Sequence, residues 1–78
     1  MDRFENMNTF ISVVEAGGIS AAATRMNIAK SVISRRLKEL EAHLGVELFH
    51  RTTRRMNLTD SGHTFYQQSV RILADLIE

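Results

Sequence analysis

The sequence predicts a mainly α-helical domain with three helices, a short β-hairpin and a longer fourth helix. Apolar residues recur at helical spacing in several segments, and Gly or Asn residues separate those segments. The period changes after Leu44, where a short basic stretch begins. With 78 residues, of which 44% are hydrophobic and 24% charged, the chain suffices for one small domain with a modest core.

Two helices are predicted first, and the second of them is short. The first spans about residues 2–16, because its apolar side chains follow one stripe: Phe4, Met7, Ile11 and Val14, widened by Phe10 and Val13. Gly17 and Gly18 end it, since glycine readily adopts the left-handed conformation found just past helix ends. Ser20 is expected to cap a second helix, whose alanines allow close packing. Asn27 tolerates a positive φ and is predicted to form the next turn.

The third helix, residues 29–44, carries two different faces. One is apolar and formed by Ile33, Leu37, Leu40 and Leu44. The opposite face presents hydrogen-bond donors, two of them cationic, and consists of Ser31, Ser34, Arg35 and Lys38. Such a face suits an anion that also offers acceptors, although most polar helix faces only contact water. Short helix, turn and two-faced helix together predict a helix-turn-helix, with an ordinary αα-hairpin as the alternative.

A basic hairpin is predicted after Gly45. The segment VELFHRTTRRMNL alternates imperfectly between apolar and polar residues, which favours short strands at residues 48–51 and 55–58. The connecting residues lack the Asn-Gly or Asp-Gly signal that tight hairpins prefer. A hairpin with several arginines beside the third helix is typical of the wing in a winged helix-turn-helix.

The fourth helix is predicted to begin at Thr59, with Asp60 in its first turn, and to continue to the chain end. Its large side chains lie on two adjacent strips, Phe65, Ile72 and Leu76 on one and Tyr66, Val70, Leu73 and Ile77 on the other. So wide an apolar arc exceeds what a small domain covers, so part of the helix is expected to meet a partner.

The charge is polarised along the chain although its net value is only +1. Between Arg25 and Arg55, eight basic residues face three acidic ones, a local +5, and the remaining segments sum to −4. Such a distribution is typical of a nucleic-acid footprint. The chain has no Cys and no apolar run of membrane-spanning length, so a cytoplasmic protein is the default expectation.

Two other classes of function are weighed against nucleic-acid binding. A metal enzyme would have to use His43, His50 and His63, whose spacing matches no ligand motif, so neither metal, cofactor nor catalysis is expected. A helical protein-interaction module would explain the apolar last helix but not the charge polarity.

The run ISAAATRMNIAKSVISRRLKELEAHLGVELFHRTTRRMNLTDSG resembles the N-terminal DNA-binding domain of LysR-type transcriptional regulators. The resemblance implies a winged helix-turn-helix at residues 1–58, a linker helix at 59–78 that pairs two subunits, and a C-terminal effector-binding domain, sensing a small molecule, that is absent from these 78 residues. The expected partners are therefore double-stranded promoter DNA, bound as an inverted repeat, and a second copy of the chain.

Carried over to this sequence, the resemblance places groove contacts on Lys30, Ser31, Ser34 and Arg35, with Arg54 at the wing tip. The full expected DNA-binding set adds backbone contacts and is Ser20, Lys30, Ser31, Ser34, Arg35, Lys38, Arg51, Thr53, Arg54 and Arg55. The expected dimerisation set is Phe65, Tyr66, Val70, Leu73, Leu76 and Ile77.

Two positions depart from the family pattern. Ala29 stands where the family usually has Ser or Thr, so the third helix lacks a capping oxygen there unless Ser31 becomes the cap. Lys30 stands where Gln is common, which replaces an adenine-type bidentate contact by a cation suited to guanine acceptors or phosphate. The preferred base at that position is therefore expected to differ.

Overall fold

The computed structural model describes residues 3–50 and 57–77, without the side chain of Ile77. Four helices and two short strands follow one another along the chain: α1 (Arg3–Ala16), α2 (Ile19–Met26), α3 (Lys30–Leu44), β1 (Phe49–His50), β2 (Asn57–Leu58) and α4 (Asp60–Ile77). Helices α1, α2 and α3 pack against one another, and α4 packs on α1 and β2. This arrangement is the predicted winged helix-turn-helix followed by a longer helix.

The buried face of α1 includes Phe10, Ile11 and Val13 as predicted, but it is shifted away from Phe4. Its buried residues are Asn6, Thr9, Phe10, Ile11 and Val13, whereas Phe4 is 52% exposed. The predicted stripe was therefore centred wrongly, because apolar residues lie on a wide arc of this helix and two polar residues take core positions. The hydroxyl of Thr9 is satisfied locally, since it donates to the carbonyl oxygen of Glu5 at 2.8 Å.

The turns of the helix-turn-helix follow the predicted backbone rules. Asn27 has φ 59 and ψ 47, the left-handed conformation, and its amide donates to the carbonyl of Thr24 at 3.3 Å. Gly45 ends α3 at φ 73, where its amide bonds the Glu41 carbonyl at 2.8 Å. The predicted cap of α2 is wrong, because α2 begins at Ile19 with Gly18 as its N-cap and Ser20 lies inside the first turn.

The two strands are shorter in the described residues than predicted. Strands β1 and β2 pair antiparallel, with Phe49 opposite Leu58 and His50 opposite Asn57. Leu48, predicted to be in the strand, precedes it and is fully buried. The rest of the predicted hairpin, residues 51–56, lies outside the described residues.

Phe10 sits at the centre of an aromatic cluster that joins three elements. Its ring centroid lies 5.5 Å from Phe49 on β1, 5.4 Å from Phe65 and 6.4 Å from Tyr66 on α4. The Tyr66 hydroxyl also donates to a carboxylate oxygen of Glu15 at 3.1 Å. Partial desolvation raises the pKa of Tyr66, and the hydrogen bond and charge of Glu15 raise it further. The cluster fixes α4 to the rest of the fold.

Two small residues let α4 lie close to the domain. A Cβ at Gly62 would collide with the carbonyl oxygen of Leu48, and it would lie 2.9 Å from Cδ2 of Leu58. Ser69 is fully buried, and its hydroxyl has no hydrogen-bond partner within the described part of the chain. With Tyr66 and Leu73 these residues form a strip at helical spacing, which is the face that α4 turns toward its own core.

Candidate nucleic-acid interface

Helix α3 has the two faces that its sequence predicts. Ile33, Leu37 and Leu40 are buried in the core. On the opposite side the structure exposes Ser31, Arg35 and Lys38, with Ser34 half-buried between them and Lys30 exposed at the helix start. All five side chains predicted for α3 therefore lie on an accessible polar surface, which we call the outer face of α3.

The start of α3 has no side-chain cap. Ala29 is the N-cap residue in an extended conformation, with φ −70 and ψ 146, and its carbonyl accepts from the amides of Val32 and Ile33. The alternative cap at Ser31 is wrong, because Ser31 already lies in the first helical turn. Within residues 3–50 and 57–77, no side-chain oxygen caps this helix start, a position where an anion is favoured.

Ser20 and Lys30 belong to one surface depression although ten residues separate them. The turn at Asn27 brings the start of α3 beside α2, and the depression is lined by Ser20, Ala23, Thr24, Asn27, Ile28, Ala29 and Lys30. Ser20 is exposed there, and its carbonyl accepts a hydrogen bond from the Thr24 hydroxyl at 3.2 Å. The structure thus unites the predicted backbone contact Ser20 with the predicted groove contact Lys30.

Arg35 projects from the outer face of α3 and is only loosely held. Its side chain is 66% exposed, and its Nε lies 3.6 Å from an oxygen of Glu39 one turn along the helix. An exposed pair at that spacing contributes only about 0.3–0.5 kcal/mol. The guanidinium therefore exchanges this partner for another acceptor at little cost.

Arg36 points the other way, which the charge pattern did not reveal. Its guanidinium lies 2.8 Å from a Glu5 oxygen and donates to the Thr9 hydroxyl at 3.2 Å, so it faces α1. Its spacing is the available signal, because it lies three residues after Ile33 and four before Leu40, at the border of the apolar face. Arg36 is therefore not part of the outer face.

The base of the predicted wing is held by contacts that the sequence analysis did not identify. The amide of Leu48 donates to a Glu41 carboxylate oxygen at 2.7 Å, and the Leu48 carbonyl accepts from the Thr59 amide at 3.0 Å. The Thr59 hydroxyl donates to the Glu47 carbonyl at 2.6 Å and accepts from the Gly62 amide at 2.9 Å. Thr59 is thus both the N-cap of α4 and a clamp on the strand entry.

The DNA contacts predicted for the wing, three arginines and one threonine, fall in the undescribed segment. Arg51, Thr53, Arg54 and Arg55 lie between the end of β1 at His50 and the start of β2 at Asn57, outside the described residues. Their role stays a prediction from the sequence.

The apolar residues of α4 divide between its two sides. Phe65, Tyr66 and Leu73 are half-buried against the core of their own chain. By contrast, Val70, Ile72 and Leu76 are exposed by 39%, 46% and 63%. The sequence analysis placed Phe65, Ile72 and Leu76 on one strip of α4. That grouping is wrong, because Phe65 packs on the core whereas Ile72 and Leu76 are exposed. Nothing is described of the Ile77 side chain.

Other kinds of site receive no support from the described residues. Residues 3–50 and 57–77 contain no group of three or more His, Asp or Glu side chains arranged to hold a metal ion. Within the same ranges no helix has the length and apolar character needed to span a membrane.

The fold is a winged helix-turn-helix formed around α2 and α3, and α3 presents a polar, cationic face to solvent. A family model described as the bacterial regulatory helix-turn-helix protein, lysR family, matches residues 4–63. The chain belongs to the LysR family of bacterial regulators.

Known relatives agree in sequence. The HTH-type transcriptional regulator CrgA of Neisseria meningitidis serogroup B is 42% identical over 72 residues, which cover 92% of this chain and 24% of CrgA. An HTH-type transcriptional regulator of Xanthomonas campestris pv. campestris is 44% identical over 69 residues, 88% of this chain and 20% of that protein. The chain thus spans between a fifth and a quarter of the length of these regulators.

Solved structures agree in fold. The DNA-binding domain of CbnR, in a complex with DNA, superposes with a TM-score of 0.87 at 42% identity, covering 95% of this chain and 84% of that chain. The DNA-binding domain of BenM, in a complex with benA site 1 DNA, superposes with a TM-score of 0.91 at 33% identity, covering 97% and 84%. Both relatives were therefore seen with DNA.

Proposed function

We propose that this chain is the DNA-binding part of a bacterial transcriptional regulator and recognises a specific double-stranded promoter sequence. The observation that carries the proposal is the outer face of α3, which is polar, cationic and accessible, while the opposite face of the same helix is buried. A helix of this kind fits the major groove, where base edges offer acceptors and donors. The two solved relatives seen with DNA support the same function.

Within the groove, Arg35 is the residue proposed to read a base. Its guanidinium is exposed and only weakly paired, and it can donate two parallel hydrogen bonds to O6 and N7 of guanine. Ser34 and Ser31, beside it, are proposed to contact bases or phosphates nearby. Lys30, at the uncapped helix start, is suited to guanine acceptors or to phosphate.

Backbone contacts are proposed on both sides of α3. Ser20, at the first turn of α2, shares a depression with Lys30 that can take a phosphate. Lys38 lies farther along the exposed side of α3 and is proposed to contact the backbone. On the wing side the proposed contacts are Arg51, Thr53, Arg54 and Arg55, to phosphates or to the adjacent minor groove.

The chain is further proposed to act as a two-fold dimer through α4. One side of α4 packs on its own core, whereas Val70, Ile72 and Leu76 stand exposed on the other. In this proposal, residues 1–58 form the DNA-binding unit and residues 59–78 the linker helix. The whole regulator would be cytoplasmic and non-enzymatic, carrying a further domain that binds a small-molecule effector.

The proposal is tested by selecting sites from a random pool of duplexes with the purified chain, then measuring binding at two salt concentrations. A specific binder enriches one motif, an inverted repeat if α4 dimerises, and loses affinity steeply as salt rises. Failure to enrich any motif, with affinity insensitive to salt, contradicts DNA recognition. That outcome would favour a helical protein-interaction module, the alternative supported by the exposed Ile72 and Leu76.

A further inference from the structure

Neighbouring arginines on α3 have opposite environments. The Arg35 side chain is 66% exposed, whereas that of Arg36 is 17% exposed. Nη2 of Arg36 lies 2.8 Å from Oε1 of Glu5, and its Nη1 donates to Oγ1 of Thr9 at 3.2 Å. Thr9 in turn donates to the backbone carbonyl of Glu5 at 2.8 Å. The two ends of the Arg36 guanidinium thus hold two residues one turn apart on α1.

Such a contact restricts motion that apolar packing alone allows. The hydrophobic contact between α1 and α3 is non-directional, so it opposes rotation of α3 about its axis only through the fit of the packed side chains. A charged group bound at two points by neighbouring residues is directional, and rotation lengthens at least one of its bonds. Arg36 is therefore placed to fix the rotational setting of α3 on α1.

The contact of Arg36 with Glu5 and Thr9 is expected to add little to the free energy of unfolding. Removing Arg36 from water is costly, and its Nε is buried with no hydrogen-bond partner among the described residues. The Glu5 side chain is 50% exposed, so solvent also weakens its attraction for the guanidinium. The directionality of the contact accounts for its presence better than its net free energy does.

We propose that Arg36, held by Glu5 and Thr9, is a positioning residue that orients the outer face of α3 for base recognition. This inference rests on the proposed function. Hydrogen bonds to base edges require the donor to be held within about 0.5 Å of its productive position, whereas contacts to the phosphate backbone are more tolerant. Loss of the contact therefore lowers binding to the selected site more than binding to an unrelated sequence.

Substitution of Glu5 gives the sharpest test, because two explanations predict opposite signs. Glu5→Gln removes a negative charge from a protein that binds a polyanion, so simple electrostatics predicts tighter binding to every duplex. The positioning role predicts weaker binding to a selected-site duplex and unchanged or tighter binding to a scrambled duplex of equal length and composition. The ratio of the two affinities should fall about five- to tenfold, part of what one bidentate base contact contributes.

Matched variants separate positioning from charge and from stability. Glu47→Gln removes an equal charge from an exposed position outside the α1–α3 contact, and it should leave the affinity ratio unchanged. Arg36→Met should lower the ratio as Glu5→Gln does, and the double variant should be no worse than either single variant. Arg36→Lys, which keeps the charge and one contact, should recover part of the loss. Circular dichroism and thermal melts confirm that each variant is folded.

Three results overturn the inference. One is a Glu5→Gln variant whose affinity ratio equals that of the parent. Another is an additive loss in the double variant. The third is an Arg36→Met variant that binds both duplexes more weakly by the same factor and lowers the salt slope by about one. That pattern would indicate that Arg36 contacts a phosphate directly. A parent chain that does not distinguish selected from scrambled DNA refutes the proposed function itself, and is seen before any variant is compared.

Discussion

At the scale of single residues, adjacent positions on α3 have different tasks. Arg35 and Lys38 reach solvent from the outer face, while the Arg36 side chain is turned toward α1 and is 17% exposed. Counting basic residues therefore overstates the charge available to DNA on this helix. The roles proposed above, base reading for Arg35 and backbone contact for Lys38, can be tested directly.

Arg35→Ala is expected to cost about 1–3 kcal/mol of binding free energy on the selected site and to relax the preference at one base pair. The reason is that the variant loses two directional bonds to a base edge. Lys38→Ala is the matched control, expected to weaken all sequences about equally and to lower the salt slope by about one. Fluorescence anisotropy against single-base variants of the site measures both. An unchanged ranking of sites for Arg35→Ala would refute the reading role.

Gly62 is a second single residue whose substitution is expected to change stability, because there is no space for a Cβ atom at this position. In an ordinary helix, Gly→Ala gains about 1 kcal/mol of helix propensity. Here the added methyl group collides with the Leu48 carbonyl, so Gly62→Ala is expected to lower the free energy of unfolding by about 1–3 kcal/mol. Chemical denaturation measures the change, with Ser61→Ala at the exposed neighbouring position as control. A Gly62→Ala variant as stable as the parent would mean that α4 shifts away from Leu48 freely.

At the scale of elements, close packing of α2 positions the start of α3. Ala22 and Ala23 are 0% and 7% exposed, so this short helix approaches its neighbours without large side chains. The left-handed Asn27 then sets the direction in which the chain enters α3. The depression shared by Ser20 and Lys30 depends on this approach.

Ala23→Leu is expected to overpack that contact and to lower the free energy of unfolding by about 1–3 kcal/mol. DNA binding should fall with it, because α2 supports the start of α3. Ala21→Leu on the exposed side of α2 is the control and should change stability by less than about 0.5 kcal/mol. Thermal melts of both variants and of the parent compare their melting temperatures. Equal melting temperatures for Ala23→Leu and the parent would show that the site has unfilled space.

At the scale of the whole molecule, α4 has two different sides. The inward strip, which includes Gly62, Ser69 and Leu73, fixes it to the domain, and the outward residues include Ile72 and Leu76. A two-fold arrangement of such helices would relate two copies of α3, which is what an inverted repeat in successive major grooves requires. A charge at Leu73 would not test dimerisation alone, because Leu73 also packs on the core of its own chain.

Leu76→Glu is expected instead to give a folded monomer that binds a half-site weakly and has lost tight binding to the full site. Leu76 is 63% exposed, so a charge there leaves the fold intact but opposes apolar association. Each large apolar side chain buried in a dimer contributes about 1.5–3 kcal/mol, which supports association near micromolar concentration. Gln67→Glu adds the same charge at an exposed polar position as control. Analytical ultracentrifugation compares the three proteins, and a parent that stays monomeric at high concentration contradicts the dimer.

Local rules were enough to predict much of this protein from its sequence. The two faces of α3, the turn at Asn27 and the helix end at Gly45 were all correctly predicted, because each depends on side-chain period or on the φ that one residue tolerates. The order of the helices and strands was also correctly predicted, and the resemblance to the family was recognised in residues 19–62. The contacts of the wing and the α4 dimer remain predictions.

Only the tertiary structure decided which way ambiguous residues point. Asn6 and Thr9 lie on the buried side of α1 although they are polar. The apolar residues of α1 are spread over a wide arc of the helix, so the packing of neighbouring elements decides which side is buried. Gly62 takes the inward side of α4 because the Leu48 carbonyl leaves no room for a Cβ there, and the small Ser69 side chain is fully buried on the same side. Arg36 turns inward because Glu5 and Thr9 lie opposite it on α1. These choices are made by distant parts of the chain. A local pattern, such as the position of Arg36 at the border of the apolar face, allows them but does not decide them.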